Sequence, residues 1–156
     1  MVGRGSEREK LIKLAEDLDL KNIQFCQSPF SEMDKLMSIT YASIVTLRDV
    51  PSARRMRLSK AIPPISCGVP VLYAGYGETL EILLKNNAGV FVEPENPRNL
   101  AEKIIEIADN PHKRNQMSEN CRELALNQFS WKNIIRNWQL QITSINNEET
   151  PLIEGL

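Results

Sequence analysis

Two segments of this 156-residue chain concentrate groups able to hold an anion or a polar ligand. Arg48 to Lys60 (RDVPSARRMRLSK) gathers Arg48, Arg54, Arg55, Arg57 and Lys60. A diphosphate needs cationic or N–H donors around it, and an Arg/Lys cluster beside a helix start, here Arg57-Leu58-Ser59-Lys60, supplies both. A solvated basic loop is the competing reading of the same residues. Gly75-Tyr76-Gly77-Glu78 offers different chemistry. Glu78 can accept hydrogen bonds from sugar hydroxyls while the glycines keep the backbone close; equally, an acidic residue there favours the positive end of a helix dipole.

Weaker signals lie nearer the N-terminus. Gly3-Arg4-Gly5 lets backbone N–H groups approach a phosphate, because glycine has no Cβ to block it. It falls short of the full G-x-G-x-x-G fingerprint and also reads as a plain tight turn. Gln27-Ser28-Pro29 follows a short apolar run and is a candidate by position. The single His112 has no partner pattern and is expected on the surface, and Met33, Met37 and Met117 have the spacing of core fillers. No Ser/His/Asp, Cys/His, paired-carboxylate or metal-ligand pattern emerges, so no catalytic residue is assigned and neither metal nor cofactor is expected.

The elements that must position these groups alternate. Ser6 to Leu20 carries Leu11, Ile12, Leu14 and Leu18 on one stripe, with Ser6 as N-cap and Glu9 three residues on, which predicts a helix with a capping box. Asn22 to Cys26 reads as a strand, and Phe30 to Tyr41 as a helix through Met33, Leu36 and Met37. Ala42 to Leu47, Val69 to Tyr73 and Gly89 to Val92 are nearly continuous apolar runs, as expected of strands buried on both faces of a parallel sheet. Thr79 to Asn86 is helical between the last two. Strands alternating with helices imply a doubly wound α/β domain whose ligands bind in the loops after the strands. Those loops are Gly3 to Ser6, Gln27 to Pro29, Arg48 to Lys60 and Gly75 to Glu78.

Beyond Asn96-Pro97 the pattern is helix only: one helix to about Ala108, a second from His112 to Gln128 after Asn110-Pro111, and a third from Ser130. The domain is expected to span 1–145, with 146–156 (NNEETPLIEGL) a flexible tail. Almost nothing precedes Gly3 to serve as a first strand, so the expectation is a chain cut from a longer protein.

Bulk properties fit one domain. Hydrophobic residues make up 42% of the chain, enough for a layered core, and the formal net charge of −1 gives no electrostatic reason to expect nucleic acid as a partner. The three cysteines, Cys26, Cys67 and Cys121, have neither disulfide-framework nor metal spacing, which suggests reduced thiols and a cytoplasmic setting. No apolar run is long enough to span a bilayer, and no signal-peptide pattern opens the chain. Peripheral attachment to the inner membrane face through other sequence stays open.

Taken in order, the pieces resemble one family. Gly3-x-Gly5-x-Glu7-Arg8, Leu20-Lys-Asn-Ile-x-Phe25, Met37-x-x-x-Tyr41-Ala42, Leu58-Ser59-Lys60 and Cys67-Gly68-Val69-Pro70-Val71 come first. Gly77-Glu78, Asn87-Ala88-Gly89-Val90, Pro94-Glu95-Asn96-Pro97 and Phe129-Ser130-Trp131 follow. Together they look like the C-terminal, nucleotide-sugar-binding domain of retaining GT-B glycosyltransferases, the glycosyl transferases group 1 family. The resemblance implies a Rossmann-like domain and a nucleoside-diphosphate sugar as donor. It also implies an acceptor-binding domain N-terminal to this chain, and transfer to a glycan or lipid-linked acceptor.

By the same resemblance, Cys26 to Pro29 faces the nucleobase, Leu58 to Lys60 the diphosphate, and Gly75 to Glu78 the sugar and phosphates. Lys60 is the leading cation for the departing nucleoside diphosphate. The isolated chain is then expected to be inactive, and the final helix, with Trp131, Ile134, Ile135, Trp138 and Ile142, to bury an apolar face on the other domain. The family's ribose-binding Glu is replaced here by Pro63, and the paired acidic position by Arg55. Pro63-Pro64 is also expected to interrupt the helix that carries that Glu. A degenerate GT-B domain acting as an interaction subunit is the second reading, and a nucleotide-sugar epimerase the third.

Overall fold

The structure is a computed structural model that describes residues 1–56 and 59–147. It divides into two compact units, Met1–Ile39 and Thr40–Leu156. In the first unit the opening helix, α1, covers Arg8–Asp17. Ser6 does not cap it: the Arg8 N–H bonds to Gly5 O at 3.1 Å, so Ser6 is inside a turn, and Glu7 takes the N-cap position with no side-chain cap bond. The helix stops at Asp19, whose φ of 51° leaves the helical region, while Leu20 N–H closes on Ala15 O at 2.9 Å.

The strand expected at 22–26 is reduced to a single parallel bridge, Val2 to Cys26. Its bonds run from Cys26 N–H to Met1 O (2.9 Å) and from Gly3 N–H to Cys26 O (3.2 Å). Helix α2 covers Met33–Ser38, shorter than the expected run to Tyr41, and follows a 3-10 turn at Phe30–Glu32.

In the second unit, β1 (Ser43–Thr46), β2 (Val71–Ala74) and β3 (Gly89–Val92) form a parallel sheet in the order β1-β2-β3. Every residue of β2 is buried. Val71 and Tyr73 point into one cluster with Ile65, Leu83, Cys121 and Leu124, while Leu72 and Ala74 point into another with Val92, Ile107 and Met117. Helices α3 (Ile62–Ser66), α4 (Glu78–Lys85) and α6 (Pro111–Leu124) feed the first cluster, and α5 (Pro97–Ala108) feeds the second with Met117 of α6. This is the doubly wound arrangement. β1 departs from the expectation of burial on both faces: Val45 is buried but Ile44 is 48% exposed. Helix α5 packs over β2 and β3, while β1 is an edge strand whose Ile44 lines a cavity with Leu72 and with Ile104 and Ile107 of α5.

The prolines act differently from the expectation of an interrupted helix. A 3-10 turn, Ser59–Ala61, precedes α3, and Pro63 and Pro64 fall in the first turn of α3, where the missing N–H groups have no helical partner to lose. Helices α5 and α6 begin as their sequences predict. Asn96 and Asn110 accept from the backbone N–H of Asn99 and Lys113, each at 2.9 Å, ahead of a proline at the helix start.

Helix α6 ends at Leu124, short of Gln128, because a π-helical turn, Ala125–Phe129, follows it. Helix α7 (Trp131–Asn147) starts where Asn133 N–H reaches Ser130 Oγ at 3.3 Å. It carries Trp131, Trp138 and Leu140 at 77%, 62% and 60% exposure. The expected tail from 146 falls partly within α7, and residues 148–156 lie outside the described residues. Among the described residues no helix is long and apolar enough to cross a membrane.

Cys121 is fully buried, and its thiol donates to Ala88 O at 3.1 Å. Burial pushes its pKa up to about 12, whereas Cys26 and Cys67 are exposed. Reactivity follows the thiolate and its access. A thiol reagent at pH 8 is therefore expected to titrate two cysteines rapidly in the folded protein and the third only after denaturant is added.

Candidate functional site

Parallel strands present their carboxyl ends on one side, and in the second unit Thr46, Ala74 and Val92 end β1, β2 and β3 there. They border a cleft of about 370 Å³ with Leu47, Arg48, Glu93, Glu95, Asn96 and the start of α5. The loop after β3 is tightly built. Glu93 N–H donates to Asn99 Oδ1 at 2.9 Å, Asn96 Nδ2 donates to Glu93 Oε2, and Glu95 adopts a φ of 59°. Sequence reading passed over this loop, although the rule that singled out the loops after the earlier strands applies to it equally.

The basic segment is not a free loop. Arg54 makes a two-pronged contact with Asp49, Nε to Oδ1 at 3.0 Å and Nη2 to Oδ1 and Oδ2 at 2.9 and 3.0 Å. Its guanidinium carbon lies 4.8 Å from the centre of the Tyr76 ring, and that ring packs at 5.7 Å against Phe91 of β3. The loop after β1 and the turn after β2 are thereby joined. Neither Asp49 nor the singular position of Arg54 within its run was legible in the sequence, because the partner ring is 22 residues away.

The turn's glycines serve this joint. Gly77 has a φ of 93° and precedes α4 as its N-cap residue; a Cβ there would lie 2.2 Å from the carbonyl oxygen of Arg54. A Cβ on buried Gly75 would stand 3.0 Å from both Leu47 Cδ1 and Tyr73 Cε1. Burial pushes the Tyr73 phenol above its ordinary pKa, with the Thr79 hydroxyl opposing that shift. Among the described residues no group stands at full hydrogen-bond geometry to Tyr73 Oη. The neutral phenol is a packing element beneath the turn.

Ser59 and Lys60 are exposed in the 3-10 turn before α3. Ala61 and Ile62, the next residues, line a small cavity with Thr79 of the first turn of α4. Glu78 is exposed at the start of α4. Arg57 and Leu58 lie outside the described residues.

The remaining candidates belong to the first unit. Gly3 and Gly5 line a cleft of about 180 Å³ with Glu7, Arg8 and Phe25, and a Cβ on either would meet nothing within 4 Å, so packing does not demand glycine there. Arg8 is among the residues that line this cleft. The Arg8 guanidinium donates to Glu9 at 3.0 Å and to Phe25 O at 3.4 Å, and its buried Nε has no partner among the described residues. Gln27 and Pro29 are exposed, and Ser28 Oγ makes only a long contact of 3.4 Å with Pro29 O.

Residues 1–124 match the family described as glycosyl transferases group 1. The chain belongs to that family. An uncharacterized glycosyltransferase of Methanocaldococcus jannaschii is 32% identical over 75 residues, covering 48% of this chain and 21% of the relative. A second from the same organism is 22% identical over 139 residues, covering 89% and 35%. Among solved structures, a glycosyltransferase from Rickettsia africae superposes with a TM-score of 0.76 at 22% identity, over 95% of this chain and 40% of that one. Sucrose-phosphate synthase from Thermosynechococcus elongatus gives 0.74 at 24% identity, over 93% and 38%. Anabaena HepE, solved with UDP-glucose, gives 0.71 at 20% identity, over 87% and 36%.

These structures share the GT-B fold with this member of the glycosyl transferases group 1 family, as its motif order implied. The chain spans about a fifth to a third of the length of the two curated relatives.

Gly77 is the position on which the site's shape turns. Gly77→Ala adds a Cβ against a backbone oxygen and strains a left-handed residue, so a loss of about 1–3 kcal/mol is expected in urea unfolding. The strain falls on the contact with Arg54. The Tyr76 environment should shift with it in near-ultraviolet circular dichroism, whereas a wild-type spectrum and midpoint would contradict the observed contact.

Proposed function

We propose that this chain is the donor-binding, C-terminal part of a retaining glycosyltransferase that uses a nucleoside-diphosphate sugar, the acceptor domain lying in a longer protein. The observation that carries the reading is the contact of Arg54, in the basic segment after β1, with the glycine turn after β2, beside the strand-end cleft. That HepE was solved with UDP-glucose and with UDP supports this ligand class.

The chemistry divides by charge. Lys60 and the first N–H groups of α4 attract the diphosphate, where a helix start and a cation reinforce each other. Glu93 and Glu95 repel phosphate but accept from sugar hydroxyls, which suits them to the sugar side. When the glycosidic bond breaks, negative charge grows on the departing diphosphate, and a cation held in place stabilises that transition state more than the ground state. The acceptor is a glycan or a lipid-linked sugar reached from the cytoplasm.

Calorimetric titration of the full-length protein with nucleoside diphosphates and their sugars tests the reading, and absence of both binding and transfer would sink it. Lys60→Ala is expected to lower kcat/KM by about a hundredfold, in the range for loss of one positioned charge donor. A near-wild-type value would remove Lys60 from the site.

A second reading, a degenerate GT-B domain acting as an interaction subunit, rests on Pro63 and Arg55 at positions the family fills with acidic residues. Pro63 is exposed in the first turn of α3, so Glu fits there without disturbing the core. If the pocket is competent, Pro63→Glu tightens donor binding by about tenfold, the scale of one charge-assisted hydrogen bond. Unchanged affinity favours degeneracy.

A further inference from the structure

We infer that Arg54 is a positioning residue, clipping the loop after β1 onto the Gly75–Gly77 turn so that the diphosphate-binding groups of the donor site keep one geometry. This deepens the donor-site reading above and rests on it. Two ends of the same residue grip the same turn. The guanidinium lies over the Tyr76 ring, 4.8 Å from its centre, and the backbone carbonyl occupies the space that the missing Cβ of Gly77 leaves. Tyr76 in turn leans on Phe91, which anchors the joint to the sheet.

Arginine is the side chain this geometry requires. Its planar fork gives Nε and Nη2 to the Asp49 carboxylate within the plane, at 2.9 to 3.0 Å, and leaves the flat face for the ring. Lysine keeps the charge but can match neither the fork nor the face. The Arg54 and Asp49 side chains are 57% and 35% exposed, and ion pairs so exposed add little to stability. The clip therefore governs where the loop sits far more than whether the domain folds. Lys60, which the donor-site reading assigns to the diphosphate, follows Arg54 by six residues in the chain.

A direct phosphate contact by Arg54 is the alternative, and it predicts the opposite response to loss of Asp49. If Arg54 were a ligand, Asp49→Asn would free its guanidinium and leave donor binding unchanged or tighter, and Arg54→Lys would keep most of the affinity. If it is a clip, Asp49→Asn, Arg54→Lys and Tyr76→Leu each weaken nucleoside diphosphate binding and raise the donor KM by about tenfold, the effect of a modest misplacement of binding groups. In that case kcat falls as well, because the displaced cation acts mainly in the transition state, and binding of the nucleoside without phosphates is unchanged. The double variant Asp49→Asn with Arg54→Lys is then no worse than either single one, because both remove the same contact.

The experiment is calorimetry with nucleoside and nucleoside diphosphate, steady-state kinetics and thermal melting on the full-length protein and these variants. Unchanged or tighter diphosphate binding in Asp49→Asn overturns the clip. So does a parallel loss of nucleoside binding and melting temperature in all variants, which marks a merely structural contact. Failure of the unaltered protein to bind any nucleoside diphosphate overturns the donor-site reading instead.

Discussion

The structure depends on one strand being dry on both faces. β2 alternates its side chains between two clusters, Val71 and Tyr73 to one side and Leu72 and Ala74 to the other. Burying both faces requires helices above and below, and a chain that returns to the same sheet edge in parallel must cross over each time. The strand ends then fall together at Thr46, Ala74 and Val92, and the loops that leave them have no choice but to meet. The cleft follows from hydrophobic burial beneath it.

What the loops do when they meet is decided by very small side chains. Gly75 lies against Leu47 and Tyr73, and Gly77 against the carbonyl of Arg54, at distances that leave no room for a methyl group. Glycine in such a turn is usually credited with admitting a ligand. Here its first effect is to let two loops of the same chain close on each other, with Arg54, Asp49 and Tyr76 securing the closure from the solvent side. The site is rigidified by contacts that add little to global stability, which is how a binding surface can be held in shape without demanding a larger core.

The family assignment and the local chemistry also pull in different directions at one place. Membership in the glycosyl transferases group 1 family rests on residues 1–124. Yet the short helix α3 carries Pro63 and Pro64, where the resemblance read from the motif order implies a longer helix with an acidic residue. Both prolines fall where a helix tolerates them; Pro64 is buried beside Ile65, whereas Pro63 is exposed.

Much of this protein was legible from residue order alone. Continuous apolar runs gave three strands within one or two residues, and GVFV at 89–92 matched its strand at both ends. Asn-Pro pairs marked the starts of α5 and α6, because a side-chain cap and a fixed proline φ are local effects. Local signals failed where a distant partner decides the outcome. Residues 22–26 meet residues 1–3 through one bridge, and Ile44 of the edge strand β1 is left 48% exposed. The site divides the same way: its loops were located by position after strands, whereas the Arg54 clip and the loop after β3 required coordinates. A sequence states which side chains exist and their local spacing, but which guanidinium finds which ring is a matter of long-range packing, and only the tertiary structure decides it.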